Sequence, residues 1–307
     1  MPRIIVTGAD GFIGRALVPD LCALGHQVHA VTSRESPRIA HRQHSLLRWH
    51  RCDLLDPAAV KCLVRQVSAD HLVHLAWHRP GSWNSDQNNI WISASLKLIE
   101  RFAQCGGCRV VAAGSAAEYA YTDEPCSEGA TSLSALSRYG YCKSTLHVEA
   151  KELCDRLDVG LAWGRVFSVF GPWERPDRLV PSVARSLLAG RPALCTEGFQ
   201  RRDFLHSTDV ARAFSLLVES NFVGAINVGS GQHTSIRELV SFIGAELGRG
   251  DLIRFGAVAD DVVNPALVVA DISRLRDDLG FAPTLALREA VTRTVDWWSC
   301  QSGEAWA

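Results

Sequence analysis

Short runs that are apolar on both faces alternate with amphipathic stretches through the first half of the chain. Residues 3–7, 27–31, 71–75, 109–113 and 161–167 are dominated by aliphatic side chains with no polar face, the pattern of strands buried on both sides. Between them, 12–24, 56–67, 88–104 and 136–157 repeat apolar positions at helical spacing. That alternation predicts an α/β fold, a doubly wound parallel sheet with helices on both faces. The second half is less regular: a Pro- and Arg-rich stretch spans 171–202, and 224–228 reads as one further strand. With no internal repeat and no clean linker, the expected division is a sheet domain over 1–170, with a later strand contribution near 203–229, and a smaller lobe formed mainly by 171–307.

Composition narrows the partners. The 307 residues are 47% hydrophobic and 21% charged, with a formal net charge of -1. A near-neutral chain has no global field to hold nucleic acid or an anionic membrane surface, so the expected partner is a small molecule. No stretch approaches the ~20 apolar residues of a membrane span and the N-terminus lacks a secretory pattern, so a soluble, cytoplasmic protein is expected. The ten cysteines then read as reduced thiols. Cys105-Gly106-Gly107-Cys108 lacks the second pair or the histidines a zinc site would want, so no metal is expected.

The most informative segment is Thr7-Gly8-Ala9-Asp10-Gly11-Phe12-Ile13-Gly14, directly after the first strand and opening a helix. Gly8 permits the tight turn, Gly11 lets the backbone approach a pyrophosphate, and Gly14 lets helix and strand pack closely. The helix N-terminus adds amide donors and positive dipole. At the end of the second strand, an acidic side chain would hold the ribose 2'-hydroxyl of NAD. Thr32-Ser33-Arg34 stand there instead, and a guanidinium suits a 2'-phosphate. Glu35 argues the other way, but the expected cofactor is NADP(H) in preference to NAD(H). The basic run over 38–51 either adds to this or is a solvated face.

Tyr139 and Lys143 stand one helical turn apart within Tyr-Gly-Tyr-Cys-Lys. A cation beside a phenol lowers its pKa toward a usable range. Upstream, Ser115 ends the strand over 109–113 in Gly114-Ser115-Ala116-Ala117-Glu118-Tyr119, and open α/β sheets do their chemistry at strand ends.

Together these motifs resemble the extended short-chain dehydrogenase/reductases that act on nucleotide sugars. Further segments fit: Arg165-Val166-Phe167-Ser168-Val169-Phe170-Gly171-Pro172 is similar to the family's Arg-x-x-Asn-x-x-Gly-Pro, Gln200 to His206 to its Arg-Asp-aromatic-x-His, and Ile226 to Gly231 to its late strand and turn. The resemblance implies Ser115, Tyr139 and Lys143 as catalytic residues. It implies cofactor contacts from Gly8, Gly11, Phe12, Ile13, Gly14, Asp53, Leu54, Leu75, Ala76 and Lys143, to which charge adds Arg34. Substrate diphosphate would meet Ser168 and Arg202, and a homodimer would form through 88–104 and 136–157. Trp77, His78, Trp83 and Trp173 are placed in loops that would rim the sugar pocket.

Departures from the family pattern select among its reactions. Dehydratases of the family carry acids just after the catalytic Ser/Thr, where this chain has Ala116 and Ala117. Glu118 is expected to point the other way. The family Asn is Ser168, and a second late Arg is replaced near Asp261. What remains suffices for a 4-ketoreductase of nucleotide-linked 4-keto-6-deoxyhexoses using NADPH. The alternatives are a nucleotide-sugar 4-epimerase with bound NAD and a non-catalytic NADP(H)-binding sensor.

Overall fold

A computed structural model describes residues 1–35, 44–77, 83–259 and 264–301. His78, Asp261 and much of the basic run over 38–51 therefore lie outside the described residues. The first half builds strands β1 (Arg3–Thr7), β2 (Gln27–Thr32), β3 (Leu47–Arg51), β4 (His71–His74), β5 (Arg109–Ser115) and β6 (Gly160–Val166). Between them run helices α1 (Gly14–Ala23), α2 (Pro57–Val67), α3 (Gln87–Gln104) and α4 (Arg138–Arg156). Among the described residues the main sheet has seven strands, all parallel, in the order Gly224–Val228, β6, β5, β4, β1, β2, β3. This is the expected doubly wound sheet. One core packs on each face: Leu17, Val18 and Phe214 lie on one side, and Leu63, Leu98 and Phe102 on the other.

β3 was not foreseen. Its basic sequence read as a solvated face, and as an edge strand it keeps every residue partly or fully exposed. Edge strands carry charge for that reason. A third core gathers α5 (Leu179–Leu188), the helix Ile236–Glu246 and the helix Leu287–Cys300 beside the sheet.

The strand order reverses between β1 and β4, and a crevice opens there beyond the strand ends. Gly8 leaves β1 at φ +67°, and a Cβ on it would meet the Ala76 nitrogen at 2.8 Å. A Cβ on Gly14 would lie 2.3 Å from the Gly8 oxygen. Only glycine permits both approaches.

At the end of β5 the chain turns through a reciprocal cap. The Ser115 hydroxyl accepts from Ala117 N at 3.2 Å, and the Glu118 carboxylate accepts from Ser115 N at 2.8 Å. As expected, Glu118 turns away from the cavity, and the structure supplies its partner. It is fully buried, accepts from the Arg165 guanidinium at 2.7 Å and from Trp163 Nε1 at 3.1 Å, and so ties the turn to β6. Arg165 also donates to the Tyr119 hydroxyl, which donates to Asn227 on the neighbouring strand. Removing one member of a buried pair strands the other charge without water. Glu118→Gln should therefore lower unfolding stability by about 3 kcal/mol in chemical denaturation. Unchanged stability would show that the pair does not hold the turn.

Candidate active site

Three confluent hollows follow the crevice. The first, about 400 Å³, is lined by Gly8, Gly11, Thr32, Ser33, Arg34, Asp53, Leu54, Leu75 and Ala76. The second, about 440 Å³, adjoins it at Leu75 and Trp77 and holds Phe12, Ile13, Ser115, Tyr139 and Lys143. The third, about 850 Å³, shares Ser115 with the second and contains Ala116, Ala117, Ser168 and Arg202. The structure thus gathers every candidate site residue along one groove except Gly14, which packs helix to strand beneath it.

Helix α4 carries the central pair. Ser137 caps its N-terminus by accepting from Gly140 N, and Tyr139 N donates to the Trp83 carbonyl, fixing the first turn against the loop before α3. A Cβ at Gly140 would lie 1.9 Å from the Ala117 oxygen. Missing side-chain volume there brings the helix close to the turn bearing Ser115. The Tyr139 ring packs edge-on to Trp83 at 4.8 Å and to Trp77 at 6.3 Å. Burial in this aromatic surround pushes its phenol up to about 12, against the pull of a hydrogen bond with Ser115; the Glu118 charge adds to the rise, and Arg178 opposes it. A phenol so held is protonated throughout the neutral range.

Lys143 follows Tyr139 one turn along α4 and lines the same hollow. Its ammonium donates to the Ala113 carbonyl at 2.8 Å and lies 3.9 Å from the centre of the Trp77 ring. Burial brings it down to about 7, opposed by the Glu118 charge. Ser115 and Arg178 are the groups that oppose the rise of the phenol.

In the first hollow Arg34 is half-buried, with Nε 3.3 Å from the buried Asp10 carboxylate. Glu35 is 86% exposed in its side chain and faces Arg51 at 3.5 Å, away from the hollow. Thr7 and His74 join β1 to β4 beneath the groove through a 2.7 Å hydrogen bond, and His74 meets Ser95 at 2.9 Å. Burial, then the Lys143 charge, lowers His74 to about 3, so its ring is neutral.

In the third hollow Arg202 donates to the Pro265 carbonyl at 2.8 Å and to Asn264. Trp77 and Trp83 line the groove as expected, but Trp173 does not. Its ring packs between the Arg15 guanidinium, 4.3 Å away, and Trp297, 4.8 Å away. What the sequence reading missed is the next residue: Glu174 is buried and lines both the second and third hollows, with Asp177 and Arg178 beside it. Its place directly after Gly171-Pro172-Trp173 was the available signal.

The comparisons agree with this geometry. A family model described as the NAD dependent epimerase/dehydratase family matches residues 4–229. The chain belongs to that family, and so to the NAD(P)-dependent oxidoreductase-type enzymes of the extended short-chain dehydrogenase/reductase group. A Streptomyces dTDP-4-dehydro-6-deoxy-D-allose reductase is 27% identical over 96% of this chain and 95% of its own. A UDP-glucose 4-epimerase of Mycolicibacterium smegmatis is 28% identical over 98% and 99%. Among solved structures, MoeE5 in complex with UDP-glucuronic acid and NAD superposes with a TM-score of 0.83, at 29% identity over 97% of this chain and 99% of that one. No helix among the described residues is long and apolar enough to cross a membrane.

Gly140→Ala should push α4 off the Ser115 turn and lower turnover about 100-fold, the scale expected when reacting groups shift by ~1 Å. Steady-state kinetics beside a melting curve checks this. Full activity would mean that the close approach is immaterial.

Proposed function

We propose that this chain reduces the 4-keto group of a nucleotide-linked 4-keto-6-deoxyhexose with NADPH. The observation that carries the reading is the pairing of Ser115 with a protonated Tyr139 in a pocket where Ala116 and Ala117 present no acid or base. Dehydration needs such a pair, whereas ketone reduction needs one proton donor and an oriented carbonyl. The 27% identical reductase supports the same choice.

The glycine cradle suits a dinucleotide: Gly8 and Gly11 line the groove at the start of α1, where amides and helix dipole favour a pyrophosphate. Phe12 and Ile13 would flank the nicotinamide end, while Asp53 and Leu54 would meet the adenosine and Leu75 and Ala76 floor the passage between them. The nicotinamide, when bound, supplies hydride to the sugar carbon. Ser115 orients the carbonyl oxygen and Tyr139 donates its phenolic proton to it. Lys143, which lines the same hollow as Ser115 and Tyr139, would hold the nicotinamide ribose. Arg202 and Ser168 are assigned to the nucleotide diphosphate, where a guanidinium and a hydroxyl supply donors. Thr32, Ser33 and Arg34 support NADPH because hydroxyls and a guanidinium line the hollow while Glu35 faces outward.

A second reading is a nucleotide-sugar 4-epimerase with bound NAD. The NAD-containing MoeE5 structure favours it, as does the contact of Arg34 with Asp10. Exposed Ile90, Tyr141 and Val148 on α3 and α4 support the homodimer the family resemblance implies.

The test follows NADPH and NADH oxidation against GDP-, dTDP-, UDP- and CDP-linked 4-keto-6-deoxyhexoses. Turnover is expected with one nucleotide series and NADPH, falling at least 100-fold in Tyr139→Phe, the scale of a lost general acid. Arg34→Asp should weaken NADPH by about 10-fold or more relative to NADH, the worth of a charge-assisted hydrogen bond. Tightly bound NAD in the purified protein, with epimerisation and no net reduction, would overturn the assignment in favour of the epimerase.

A further inference from the structure

Resting on that reading of the pocket, we propose that Glu174 is a specificity-determining residue that donates a hydrogen bond, as a neutral acid, to an uncharged oxygen of the bound sugar. Glu174 lines the groove at the junction of the hollow holding Ser115 and Tyr139 with the hollow holding Arg202. Its side chain is only 8% exposed, and Oε2 is buried with no hydrogen-bond partner among the described residues. A buried polar atom left unpaired costs free energy unless a ligand completes it. The guanidinium of Arg178 does not complete it: Nε lies 3.9 Å from Oε1, beyond hydrogen-bonding reach, and the Arg178 side chain is 52% exposed.

The backbone holds the residue in this position. Trp173 adopts φ +70°, a left-handed conformation that bulky side chains rarely occupy. Its ring is pinned by Arg15 from α1 and by Trp297 from the C-terminal helix. Those two contacts keep the turn closed, and the residue after it faces the groove.

The charged and titratable groups around Glu174 leave it neutral. From its own segment come Arg175, which is engaged by Asp177, and Arg178; α4 contributes Tyr139 and Lys143 to the same hollow, β5 contributes Ser115, and Arg202 stands in the adjoining one. Burial pushes the Glu174 carboxyl up to about 8, while Arg178 and a backbone hydrogen bond in the Gly171 turn pull it down and Asp177 adds slightly to the rise. At neutral pH the group therefore carries its proton and donates it as a hydrogen bond. Once ionised it can only accept, and it loses its bond to an ether or carbonyl oxygen, which has no proton to donate.

Binding is read without turnover, by calorimetry of UDP-glucose, dTDP-glucose and GDP-mannose with NADP+ present, using whichever binds most tightly. Its affinity should fall about tenfold between pH 7 and pH 9, with close to one proton taken up per ligand at pH 9. Glu174→Gln, which keeps a donor but cannot ionise, should show neither the pH dependence nor the proton uptake. Glu174→Ala should weaken the sugar nucleotide about tenfold at pH 7, the worth of a lost hydrogen bond, and leave the matching nucleoside diphosphate and NADP+ unaffected. An affinity that is flat with pH, or that varies equally in Glu174→Gln, overturns the inference while leaving the proposed function standing. An alanine effect falling on NADP+ or on the nucleoside diphosphate overturns it too, by moving the contact off the sugar. If none of the three nucleotide sugars binds, the proposed function fails first and this inference with it.

Discussion

Glu118 and Arg165 meet at 2.7 Å with the one fully buried and the other nearly so, and this pair fixes the geometry on which the site depends. Glu118 also accepts from the backbone nitrogen of Ser115, so the ion pair, the end of β5 and the turn that presents the Ser115 hydroxyl form one unit. A buried pair of this kind is no large net stabiliser, because desolvation offsets most of its attraction. Its value is positional: either partner alone would be an uncompensated buried charge, so the turn has one acceptable conformation. Arg165 extends the constraint through Tyr119 to Asn227, which links the turn to two further strands.

Against that fixed turn, α4 is placed by what is absent. Gly140 has no Cβ, and the helix closes on the Ala117 carbonyl until Tyr139 and Ser115 share a hydrogen bond. Aromatic walls from Trp77 and Trp83 then keep Tyr139 protonated. A protonated phenol is suited to giving a proton to a developing alkoxide. The same burial that keeps Tyr139 neutral brings Lys143 down and pushes Glu174 up.

How much was legible in the sequence follows the range of each interaction. Gly8, Gly11 and Gly14 could be read because their spacing encodes one turn, and Tyr139 and Lys143 because four residues on a helix encode one face. The central strands announced themselves by being apolar on both sides. β3 did not, since an exposed basic edge strand looks like a solvated loop. That Glu118 faces away from the groove could be read from its place at the strand end, but not that it meets Arg165, because the two are 47 residues apart. Glu174 was hidden in a Pro- and Arg-rich stretch, where burial is decided by the distant contacts of Trp173 with Arg15 and Trp297. The orientation of Lys143 toward Ala113 is likewise set by packing rather than by spacing.

The most direct test of the account is a crystal structure of the protein with NADP+ and the reduced nucleotide sugar. The 4-oxygen of the sugar should lie within hydrogen-bonding distance of both Ser115 Oγ and Tyr139 Oη, with C4 about 3–3.5 Å from the hydride-accepting carbon of the nicotinamide. A complex in which another ring carbon occupies that position, or in which Tyr139 turns away from the sugar oxygen, would contradict it.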